Sequence, residues 1–111
     1  MSDTKHDYAT DIKKYTASPN QGAIDGIIRH LGIALQHKDS SLVSASDKTE
    51  LHRVRDGFMK KKLGLSDADN VLDAALGDVM KRMSGEHNKS RVTVCYLLAE
   101  KFDKLSLFVK P

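Results

Sequence analysis

The stretch Asp47-Lys48-Thr49-Glu50, closed at Leu63-Gly64 and reopened at Ser66-Asp67-Ala68-Asp69, decides the fold of this chain. Asp47 and Ser66 are capping residues, and each has an acid three positions on. A capping oxygen accepts from an orphan N–H of the first turn, and the acid can bond back to the N–H of the cap. Gly64 suits a helix end, because glycine enters the left-handed region without a Cβ penalty. Leu51, Val54, Phe58 and Met59 recur at helical spacing after the first signal. Val71, Leu72, Ala75, Leu76, Val79, Met80 and Met83 do so after the second. The stretch therefore reads as two successive helices, residues 47–63 and 67–84, with Gly85 as the second stop.

Upstream, Ser18-Pro19-Asn20-Gln21 opens another helix, expected to reach about residue 36. Ser18 is read as its cap, with Pro19 at the first helical position, where a missing N–H costs nothing. Ile24, Ile27, Ile28, Leu31 and Leu35 share one face. Gly22, Gly26, Arg29 and Ile33 form a second line, along which another backbone can approach closely. Glycine lowers helix propensity by up to ~1 kcal/mol per residue, so packing must offset that cost. Tyr8, Ile12 and Tyr15 predict a first helix over residues 4–16. Residues 37–46 read as a linker, pinned to the core by Leu42 and Val43 or forming a short helical turn there.

The last helix is expected from Asn88 or Ser90 to about residue 104. Val92, Cys95, Tyr96, Leu98, Ala99 and Phe102 make it the most apolar element. Val92-Thr93-Val94 is β-branched and so strand-compatible, but no second strand offers a partner, and helix is preferred. Leu105, Leu107 and Phe108 are expected to fold back as a tail. The predicted architecture is all-α: a compact single-domain bundle of about five helices over residues 1–111, with the second and fifth most buried.

Composition narrows the class. A chain of 111 residues is long enough to build one core without disulfides or metal. Its start is polar, with no apolar h-region or twin arginine, so no signal peptide is expected. The longest apolar run, residues 94–99, is far short of the roughly 20 residues of a membrane span. No membrane association is expected. The single Cys95 suits a reducing cytoplasm.

The net charge of +3 is unevenly spread. Asp67, Asp69 and Asp73 stand in first turns, while Lys60, Lys61, Lys62, Lys81 and Arg82 stand in last turns, as the helix dipole favours. The candidate binding surface is basic: Arg53, Lys60, Lys61, Lys62, Lys81, Arg82, Lys89 and Arg91. Such a surface suits phosphate contacts with nucleic acid. Three successive helical lysines splay widely around the axis, however. Aromatic stacking platforms are few, and Asp67, Asp69, Asp73 and Asp78 repel a polyanion.

Other chemistry is not favoured. His30 and His37 lie seven apart, but two histidines do not make a zinc site. Ser40, Ser41, Ser44 and Ser46 near His37 and Asp39 lack a nucleophile elbow. There is no Gly-rich phosphate loop. Catalytic, cofactor and metal residues are therefore assigned to none, and Cys95 is read as a buried small hydrophobe.

Three blocks carry a family resemblance. They are His30-Leu31-Gly32-Ile33-Ala34-Leu35; Leu42 to Asp47 running on to Phe58-Met59-Lys60-Lys61-Lys62-Leu63-Gly64-Leu65; and Asn88-Lys89-Ser90-Arg91-Val92-Thr93 with Tyr96 to Phe102. Together they resemble a small bacterial family of domain-of-unknown-function proteins. The resemblance implies a compact helical fold and a bacterial cytoplasmic setting. It assigns no activity, so it transfers no functional residue. The leading functional expectation is a non-enzymatic protein-interaction or regulatory module whose protein partner the sequence does not name. The alternative is a nucleic-acid-associated accessory protein using the basic surface, and a small enzyme without a recognisable motif stands third.

Overall fold

Among the described residues, five α-helices form where the apolar spacing places them. The computed structural model describes residues 8–17, 19–32, 42–44, 46–85 and 89–109. The helices are α1 (Tyr8–Lys13), α2 (Gln21–Leu31), α3 (Lys48–Arg53), α4 (Asp69–Arg82) and α5 (Arg91–Lys101). A π-helical segment, Val54–Lys62, continues α3, and a 3-10 turn, Leu105–Phe108, follows α5. The strands β1 (Leu42–Val43) and β2 (Lys89–Ser90) pair antiparallel, with Leu42 opposite Ser90 and Val43 opposite Lys89. The protein is a mostly α fold, with a radius of gyration of 13.1 Å, close to the ~13 Å of a compact chain of this size.

α5 is the centre. Every residue from Val92 to Ala99 is buried, and the helix packs against α1, α2 and α4. A helix apolar all round belongs inside a core. Its one strongly polar interior residue, Thr93, donates its hydroxyl to the carboxylate of Asp11 on α1. Tyr96, also buried, accepts at its hydroxyl from the Asn20 N–H at 2.8 Å. Thr16 donates to Glu100 at 3.0 Å, and Arg82 donates to the Tyr15 carbonyl. Buried polar atoms are thus matched, as a low-dielectric core requires.

Several boundaries differ from the sequence reading. α2 begins at Gln21, capped by Asn20, whose side chain accepts from the Ala23 N–H at 3.1 Å. Ser18, the expected cap, lies outside the described residues. The helix ends at Leu31, before Gly32 at φ +34°, and Ile33 and Leu35 lie outside the described residues. Asp47 caps α3 as expected, accepting from the Glu50 N–H. Ser66 does not cap α4; Ala68 holds that position without a side-chain bond, while Asp69 pairs with Lys60. Gly64 adopts φ +69°, but Gly85 has no left-handed φ. α4 instead closes with the Met83 N–H on the Val79 carbonyl. Val71, expected inside, is 45% exposed, because it lies one position off the stripe of Leu72, Leu76 and Val79.

The π-helical segment has a pattern-based cause. Its buried residues are Val54, Phe58, Met59 and, just beyond, Leu63. Steps of four to five residues match i→i+5 bonding, seen here as the Leu63 N–H on the Phe58 carbonyl at 2.9 Å. Ordinary α-helical winding would bring Lys61, seven residues after Val54, onto the core face. The wider turn brings Leu63 there and leaves Lys60, Lys61 and Lys62 outside.

Candidate functional site

The C-terminal turn reaches α2 by a specific route. α5 ends in a Schellman arrangement: the Lys104 N–H meets the Ala99 carbonyl at 2.7 Å, and the Asp103 N–H meets the Glu100 carbonyl at 3.1 Å. Asp103 takes the left-handed position, φ 58°. The chain then reverses and lays Phe108 across Gly26. A Cβ at Gly26 would stand 2.1 Å from the Phe108 carbonyl oxygen and 2.7 Å from its Cβ. Only glycine accepts this backbone-on-helix contact. It explains the glycine line that the sequence presents on the second face of α2.

Phe108 is buried, as the fold-back expectation requires, whereas Leu107 is 49% and Val109 38% exposed. The Phe108 ring stacks on Phe58, with centroids 5.9 Å apart and planes within 10°. His30 tilts against both rings, 6.0 Å from Phe58 and 6.3 Å from Phe108. The Lys62 ammonium lies 5.2 Å from the Phe108 centroid, within cation–π reach.

These residues border an open groove of about 410 Å³. α2 supplies Gly26, Arg29 and His30, the π-helical segment supplies Lys62, and the C-terminal turn supplies Leu107, Phe108 and Val109. Three potential cations converge there, and among the described residues no acid lines the groove. Burial, then the charge on Lys62, hold the His30 imidazole below its ordinary value of 6.5. The groove thus disfavours a further positive charge at His30. An anion entering it would reverse that balance. The exposed Leu107 and Val109 give the cationic wall an apolar rim.

The sequence-selected cations meet different partners. The three lysines point three ways, as their splay anticipates. Lys60 pairs with Asp69 and, at 3.4 Å, with Asp56. Lys61 borders a second cleft with Thr49, His52, Arg53, Asp56 and Gly57. Lys62 turns to Phe108. Arg55 joins the acids, reaching Asp56 at 2.9 Å, Asp73 at 3.2 Å and Asp69 at 3.8 Å. These pairs run α4 antiparallel to the π-helical segment. The rise along α4 then puts Lys81 and Arg82 about 18 Å along the axis from Asp69. Arg91 pairs with Glu50 at 2.8 Å, both largely buried, and Lys89 is 5% exposed in β2. The structure therefore brings Arg53 and Lys61 together at one cleft and places Lys60 with Asp69, at the opposite end of α4 from Lys81 and Arg82.

The groove's other members carry weaker sequence signals. Gly26 stands out by spacing and Lys62 by charge. Arg29 enters the sequence reading only on the glycine line and His30 only as an incomplete zinc pair with His37, while Leu107 reads as tail and Val109 carries no signal. Of the histidines, His6, His37 and His87 lie outside the described residues, as do Ser40, Ser41 and Asp39. Ser44 and Ser46 bond each other at 3.0 Å. Among the described residues, no three His, Cys, Asp or Glu side chains converge as a metal site. No helix of the structure is long and apolar enough to cross a membrane.

A family match covers most of this framework, residues 7–106, and its description is "Protein of unknown function (DUF2853)". The chain belongs to that family. No curated protein matches it in sequence.

Proposed function

We propose that this chain is a non-enzymatic protein-interaction module, bacterial and cytoplasmic in setting, and that its docking site is the groove between α2, the π-helical segment and the C-terminal turn. The observation that carries the reading is the pairing of Arg29, His30 and Lys62 with the exposed Leu107 and Val109. Side chains of both kinds at one open groove suit a partner segment that is itself mixed in character. Arg55, Lys60 and Arg91 meet carboxylates of their own chain. Arg29 and Lys62 meet no carboxylate among the described residues. The buried Cys95 and the sequence blocks agree with a reducing bacterial interior.

The test is a pull-down from native lysate with the wild-type chain and an Arg29→Glu/Lys62→Glu variant, each with and without nuclease. The reading expects capture that survives nuclease and is lost in the variant. Capture abolished by nuclease would favour the nucleic-acid alternative. Equal capture by both chains would remove the groove from the account.

A further inference from the structure

We propose that the groove at Gly26 and Phe108 takes an acidic peptide segment that presents an apolar side chain beside its carboxylates. This rests on the interaction-module reading and names the chemistry of the partner.

The case is one of complementarity. The cationic wall has two sources: Arg29 and His30 from α2, Lys62 from the π-helical segment. Lys62 and Phe108 are already in contact, so the ammonium is held at the wall. Beside it, the C-terminal turn contributes Leu107, Phe108 and Val109 to the lining, uncharged side chains among the described residues. A ligand that satisfies one side alone leaves the other exposed. A polyphosphate backbone would pair with the cations and leave Leu107 and Val109 against charge. An apolar helix would cover the rim and strip water from Arg29 and Lys62 without replacing it, at a cost in free energy. A segment with carboxylates next to a leucine or phenylalanine satisfies both. The second cleft, which Lys61 and Arg53 border, already contains a carboxylate, Asp56, so it is the poorer receiver of acid.

His30 gives the site a proton-linked signature. The groups facing it are Phe58 and Lys62 from the π-helical segment, Phe108 from the C-terminal turn, and its neighbour Arg29 on α2. Burial and Lys62 disfavour its protonation. A docked carboxylate favours protonation, so binding takes up a proton and tightens as pH falls through neutrality to below 6.5, the ordinary histidine value.

The experiment is a titration of the full chain followed by amide NMR and fluorescence anisotropy. The probes are four: a short acidic peptide with two leucines, the same peptide with serines for leucines, a basic counterpart, and a single-stranded oligonucleotide of similar length. The expected result is saturable shifts at Gly26, Arg29, Lys62 and Leu107 with the acidic leucine peptide alone. Affinity should fall by about tenfold in Arg29→Gln/Lys62→Gln. It should fall severalfold in Leu107→Ser, and the pH dependence should flatten in His30→Gln. Retained amide dispersion in each variant shows that it is folded.

Equal binding of the serine peptide would remove the apolar half of the proposal. Tighter binding of the oligonucleotide at the same amides would overturn it in favour of nucleic acid. No saturable shift with any acidic peptide would also overturn it. If that last result came with groove-dependent capture in the lysate experiment, the interaction-module reading would survive and only the acidic partner would fall. If neither were seen, both would fall.

Discussion

Gly26 ties a single missing methyl to the position of a whole chain segment. The Phe108 backbone occupies the place where a Cβ would stand, so Gly26→Ala must displace the C-terminal turn. Overpacking of this kind costs about 1–3 kcal/mol, and the urea midpoint should drop. Gly77 is the matched control. It lies within α4, and a Cβ there meets nothing within 4 Å. Gly77→Ala should raise stability by up to ~1 kcal/mol, the difference in helix propensity. Midpoints moving in the same direction for both variants would contradict the packing assigned to Phe108. Cys95 shows the effect of burial on chemistry. It is 1% exposed, and desolvation pushes its thiol up to about 12; the nearby Arg91 opposes that shift and Glu50 adds to it. The thiolate is the reactive form, so native labelling near neutral pH should be slow and should accelerate with urea as the core opens. Fast stoichiometric labelling of the native chain would place Cys95 outside the core. The raised value also means that the folded state resists losing this proton. Its contribution is intact below the unfolded value near 9 and is lost as pH rises beyond it.

Among the elements, the π-helical segment and α4 depend most on charge. Arg55 and Lys60 sit among Asp56, Asp69 and Asp73. Their hydrogen bonds and charges hold the Asp56 and Asp69 carboxyls below the ordinary 3.8. A depressed carboxyl contributes stability above its unfolded value, and that contribution is lost as pH falls through the folded one. The urea midpoint should therefore decline below about pH 4, and added salt should narrow the difference between neutral and acid pH. Arg55→Met should lower the neutral, low-salt midpoint modestly, since the acids are exposed and screened. An unchanged midpoint would mean that the web does not hold these helices. Sequence legibility also divides at this scale. The number of helices, the Asp47 cap and the Gly64 stop follow from local chemistry, and the structure reproduces them. The β1–β2 pairing was not legible, because Lys89 and Ser90 carry no strand signal and pair only through a distant segment. The π-helical winding was legible only in hindsight, from the step between Phe58 or Met59 and Leu63. The groove was least legible. Its wall comes from residues about 30 and 80 positions apart in the chain, and Gly26 alone hinted at their meeting.

At the scale of the molecule, one buried helix organises everything else. α5 packs on α1, α2 and α4, and its Schellman end sends the C-terminal turn back onto α2. The groove is thus a product of the fold's closure: the segment that completes the core also builds the apolar rim. The basic residues are distributed differently. Much of their charge is answered within the chain, by Glu50, Asp56, Asp69, Asp73 and Asp78. The charge left at Arg29 and Lys62 lies beside exposed apolar groups, which suits a peptide better than a polyphosphate. The central claim is that partners dock at this groove, and amide hydrogen exchange on the captured complex tests it most directly. Slowed exchange should fall on residues 26–31 and 105–109, with α4 around Val71 unchanged. Protection confined to residues 49–61 or to the exposed face of α4 would contradict the account.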